Sequence, residues 1–101
     1  MFGELTGTLR QSDQVVARQI VDQWLLIPVH GLGADLQQVY LLNETSATIW
    51  GLLAQPKTLD QLVADLQAEY AAPEDTLRQE AGAFLEDLLR RGFVVHEVDH
   101  E

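Results

Sequence analysis

Apolar residues fall in short strand-like runs between Val15 and Leu42 and recur at helical spacing from Asn43 onward. Val15 to Val21 alternates imperfectly, as expected for a strand whose second face is partly exposed. Asp22-Gln23 reads as a turn. Trp24 to Val29 is almost wholly apolar and reads as a central strand, with Pro28 marking its end. Leu36 to Leu42 reads as a third strand. The period then changes at Asn43, whose side-chain oxygen suits the free N–H groups of a first helical turn. Glu44 is well placed against the helix dipole. Ile49, Trp50 and Leu53 then share one helical face.

Thr58, with Gln61 three residues on, has the capping-box arrangement and opens a second helix. Leu59, Leu62, Val63, Leu66 and Tyr70 form its apolar stripe. Pro73, Glu74 and Asp75 suit the start of a third helix, which carries Leu77, Ala81, Phe84, Leu85, Leu88 and Leu89. Arg90 and Arg91 lie in its last turn, and Gly92 lets the chain leave it. Phe93 to Val95 reads as a short closing strand. The fold class is α+β: a small three-stranded antiparallel sheet followed by three helices, winged helix-turn-helix-like. Residues 1–14 show no clean period and read as a flexible arm. In it Phe2, Leu5 and Leu9 are able to cover an apolar surface or meet another subunit. Residues 15–95 form the domain, and 96–101 an acidic tail.

Length and charge narrow the possibilities. A chain of 101 residues makes one domain with a modest core and little room for an enclosed catalytic cleft. Six basic residues against 16 acidic ones give a formal charge of −10, which repels phosphate backbones and anionic lipid. Sequence-specific DNA binding is disfavoured too, because Thr58 to Tyr70 contains no lysine or arginine. The chain has no cysteine, no basic-then-apolar signal segment and no run long enough to span a membrane. These features predict a cytoplasmic protein.

Candidate chemistry is sparse. Asp60, Asp65, Glu69, Glu74, Asp75 and Glu80 fit a solvated acidic face, with nothing to shift a pKa toward acid–base work. His30 with Asp35, and His96 with Asp99 and His100, fail as metal sites: on a strand or tail, residues four apart are too distant for one tetrahedral ion. His30-Gly31-Leu32-Gly33 lacks phosphate-loop spacing. The expectation is no catalytic residue, no metal and no cofactor. A small sheet does have edges, whose unpaired N–H and C=O groups accept an added strand. If the strand leading to Asn43 is such an edge, a peptide would pair with Gln37, Val39 and Leu41, or with the residues between them. Its apolar side chains would press on the third helix.

Leu42-Asn43-Glu44-Thr45, followed by Ile49-Trp50 and Leu53 and closed by Gly92-Phe93-Val94, resembles the PqqD-like family, named for pyrroloquinoline quinone (PQQ) biosynthesis protein D. The resemblance runs from about Val15 to Val95. It implies a non-catalytic peptide chaperone, or RiPP recognition element, that binds the leader segment of a ribosomally made precursor peptide. Such a protein presents the leader to a modifying enzyme, often of the radical S-adenosylmethionine type. Carried onto this chain, the resemblance makes Val39, Tyr40 and Leu41 the binding strand. It makes Arg78, Glu80, Leu85 and Glu86 helix positions lining the groove, and Asn43, Trp50 and Gly92 structural. It also allows a homodimer. Two features depart from the family pattern: the long connection from Pro28 to Asp35, and an acidic surface that leaves the substrate class open. The alternative is a winged-helix structural or regulatory protein–protein interaction domain.

Overall fold

The computed structural model describes residues 5–29 and 39–97. In chain order these form β1 (Thr8–Gln11), β2 (Val15–Ile20), β3 (Gln23–Pro28), β4 (Tyr40–Leu42), α1 (Glu44–Leu52), β5 (Lys57–Thr58), α2 (Leu59–Glu69), α3 (Glu74–Arg91) and β6 (Val94–His96). The strands make two antiparallel sheets, ordered β2-β3-β4 and β5-β1-β6.

The expected three-stranded sheet is present, with β3 at its centre. Its hairpin turns through Val21-Asp22, where Val21 takes a left-handed φ of 57°. Of the expected third strand, Tyr40–Leu42 is paired, and 36–38 lie outside the described residues. The three helices also follow the apolar period. Asn43 Oδ1 accepts the Ser46 N–H at 2.8 Å, and Ser46 Oγ accepts the Asn43 N–H at 2.8 Å. This reciprocal pair starts α1 where the strand ends. Thr58 and Gln61 start α2 in the same way. Gly92, at φ 77°, ends α3 in the left-handed conformation that glycine adopts without steric cost.

A second sheet lies beyond the elements that the apolar pattern predicts. Over its described part, the segment expected to be a flexible arm is a strand at the centre of that sheet, β1. It pairs with β5 just before α2 and with β6 just after α3. Leu9 is fully buried and Leu5 nearly so. The Ser12 N–H donates to Phe93 O at 2.9 Å, and Gln11 Nε2 donates to Trp50 O at 2.6 Å. The closing strand β6 therefore pairs with β1 and not with the first sheet. Phe2 lies outside the described residues, as do the tail residues Asp99 and His100.

The core gathers Leu26 and Leu42 from the first sheet, Leu9 and Val94 from the second, and the inward faces of all three helices. Trp50 belongs to it, 5% exposed, alongside Ile49 and Leu53. Tyr70 closes the end of α2 with its hydroxyl 2.9 Å from Thr48 Oγ1 of α1.

Candidate functional site: an open strand edge beside a helix groove

Ladder alternation decides which backbone groups of β4 are free. Val29 N–H donates to Gln14 O at 2.9 Å, so residues 14 and 29 form a hydrogen-bonded pair of the β2–β3 ladder. Hydrogen-bonded and non-bonded pairs alternate in an antiparallel ladder. Gln23, Leu25 and Ile27 therefore direct their backbone groups to β2, and Trp24 and Leu26 direct theirs to β4. Trp24 stands opposite Leu42 and Leu26 opposite Tyr40. Tyr40 and Leu42 are thus engaged with β3, while Leu41 presents its N–H and C=O outward, and Val39, just before the paired strand, has the same parity. Among the described residues no strand pairs with that side of β4. The opening ends at Asn43, whose N–H is held by Ser46 Oγ.

Below this edge runs a groove of about 500 Å³. One wall is Tyr40 and Leu41; the start of α1 contributes Asn43, Thr45 and Ser46; α3 contributes Glu80, Ala83, Phe84 and Asp87, with Ile49 beneath. Leu41 is 60% exposed, an unusual state for a leucine in a paired strand, and it stands on the rim. A second hollow, bordered by Asp22, Trp24 and Glu44, shares Leu41 and Asn43 with the groove, so β4 is a ridge between the two.

Tyr40 fastens this ridge to α3. Its ring meets Phe84 edge-on at 5.8 Å between centroids, and the Arg91 guanidinium lies 4.9 Å from its centroid. Burial, then a hydrogen bond to the Asp87 carboxylate and its negative charge, push the phenol pKa upward; Arg91 opposes them. Asp87 is further held by Arg91 at 3.3 Å and Arg90 at 3.6 Å. Glu80 forms no ion pair among the described residues.

The residues expected at a peptide site divide into two groups. Val39, Tyr40 and Leu41 lie on or beside the open edge, and Glu80 lines the groove. Gln37 lies outside the described residues. Leu85 is fully buried in the core and has no surface to offer a ligand. Arg78 reaches Asp60 of α2 and Glu74 at 2.7 Å each, bracing two helices away from the groove. Glu86 is half-buried and does not line the groove. Phe84, Ala83 and Asp87 do line it and were missed. The signal was available: Glu80, Phe84 and Asp87 recur at helical spacing on one stripe, whereas Leu85 belongs to the adjacent stripe of Leu77, Ala81 and Leu88.

The described residues contain no cluster of three or more metal-ligating side chains. Among them, no helix is long and apolar enough to cross a membrane.

Comparison with known proteins bears on this geometry. A search of curated protein sequences gave no match. Among solved structures, TbiB1 in complex with the TbiA(beta) leader peptide superimposes with a TM-score of 0.70 at 24% identity, covering 89% of this chain and 99% of that one. The likeness establishes a shared fold, the winged-helix-like arrangement of a small sheet and three helices. The family model for coenzyme PQQ synthesis protein D matches residues 23–94, from the central strand of the open sheet to the start of the closing strand. With most of its length matched in this way, the chain is a member of the PqqD family.

Proposed function

We propose that this protein binds the leader segment of a ribosomally made precursor peptide by strand addition to β4 and holds its side chains in the groove against α3. The observation that carries this reading is the open side of β4, with the outward-facing backbone of Leu41, beside that groove. Strand addition draws affinity from main-chain hydrogen bonds and sequence preference from neighbouring pockets. Family membership supports the same role, and so does the leader peptide bound to the structurally similar TbiB1. The protein acts as a non-catalytic carrier in the cytoplasm. It presents the bound leader to a modifying enzyme, the radical S-adenosylmethionine class being the one the family resemblance names.

The reading predicts a short precursor peptide encoded beside this gene, and titration with that peptide tests it. The expected affinity is on the order of micromolar or tighter, with amide shifts in Tyr40–Leu42 and along the groove face of α3. Leu41→Pro removes an outward N–H without removing a bond to β3, so it should weaken binding at least about tenfold while the domain stays folded. Arg78→Ala, outside the groove, should leave affinity unchanged. Shifts confined to loops, or a stable homodimer sealed through β4, would instead favour a structural or regulatory interaction domain.

A further inference from the structure

The groove carries two acidic side chains in different states. Asp87 is ion-paired with Arg90 and Arg91 on its own helix. Glu80 is exposed and has no cationic partner among the described residues. We infer that the bound peptide supplies that partner: a lysine or arginine two residues before the apolar side chain that packs on Tyr40 and Phe84. This rests on the strand-addition reading and specifies the chemistry of its ligand.

The spacing follows from the relative direction of β4 and α3. Tyr40, at the start of β4, meets Phe84, Asp87 and Arg91. The groove continues from Tyr40 past Asn43 to Thr45, and on the helix from Asp87 back to Glu80. The two elements therefore run in opposite directions. A strand added antiparallel to β4, continuing the pattern of the sheet, runs with α3 and has its N-terminal part at Glu80. Residues opposite Tyr40 and Leu42 direct their side chains to the helix side, and the residue between them, opposite Leu41, points away. Two strand residues advance about 6.8 Å. One helical turn from Glu80 to Phe84 advances about 6 Å. A side chain two positions before the apolar anchor therefore falls at the level of Glu80. The formal charge of −10 adds a long-range preference for a cationic ligand, and Glu80 turns it into a positional one.

Selection from a displayed library of random nine-residue peptides tests this, using the full chain and its Glu80→Gln, Glu80→Lys and Leu41→Pro variants, each confirmed as folded by circular dichroism. Peptides enriched on the unaltered chain over Leu41→Pro should carry lysine or arginine two residues before an apolar position. Resynthesised peptides should lose affinity on the order of threefold when that cation is made neutral, as for an exposed ion pair. Glu80→Gln should erase the preference, and Glu80→Lys should turn it toward aspartate or glutamate. Enriched peptides indifferent to the charge at residue 80, or with the cation two residues after the apolar position, overturn the inference and leave strand addition standing. If nothing is enriched over Leu41→Pro, strand addition itself fails and the inference falls with it.

Discussion

The two sheets each have three strands and are put to opposite use. In the second, the central strand β1 has both neighbours in place, and they come from distant parts of the chain: residues 57–58 and 94–96. Its buried leucine and its bonds to the ends of α1 and α3 tie the helices together. In the first, the central strand is also satisfied, but β4 keeps one side of its backbone open beside a groove. An open edge is a liability unless something is meant to join it. The contrast shows the same local element serving as an internal tie where its partners are covalently present, and as a receptor where one partner is left to arrive.

The largest expected effect tests the closed sheet. Leu9→Ala removes a fully buried side chain from β1 and should cost about 2–5 kcal/mol, measured by urea unfolding. Such a loss is a large fraction of a small domain's stability. A change within error would mean that β1 is an ornament, and the comparison would fail.

A smaller effect belongs to the open sheet. Val21 occupies the first turn position of the β2–β3 hairpin at φ 57°, where glycine is the usual residue, and it is 86% exposed. Val21→Gly relieves a left-handed β-branched residue and gives up almost no packing. It should stabilise the domain by about 1 kcal/mol, read as a raised unfolding midpoint. Destabilisation would show that the exposed valine has a contact of its own.

The smallest effect concerns how β4 is fastened. The Tyr40 phenol has its pKa raised in the folded protein by burial and by Asp87. A raised folded-state pKa favours the protonated form, so this contribution is fully present below pH 10 and is lost as pH rises above 10 through the folded value. Tyr40→Phe removes the titrating group, so its stability should fall less steeply than that of the unaltered chain across that alkaline window. Parallel pH profiles of thermal unfolding would show the difference, and superimposed profiles would place Tyr40 outside the coupling.

Much of the architecture was legible locally because its causes are local. Asn43 and Thr58 cap helices through atoms three residues away, Gly92 ends one through its own φ, and Leu62, Val63 and Leu66 share a face whatever they pack against. The strand β1 escaped notice for the converse reason. Only Leu9 of its four residues is buried, so no alternation shows, and its ladder partners lie tens of residues away.

The candidate site divides along the same line. The amino-acid sequence by itself determined the strand-to-helix junction at Asn43, the three helices, the absence of thiol chemistry and the acidic character, each set by residue type or by neighbours within a turn. Only the tertiary structure decided that the Leu41 backbone faces outward, that Glu80 and Asp87 differ in charge compensation, and that Leu85 is enclosed while Phe84 reaches the groove. Ladder parity and helix rotation depend on how distant segments dock. A shift of one residue along a strand exchanges its bonded and free groups, and a rotation of about 100° about a helix axis exchanges its core and its surface.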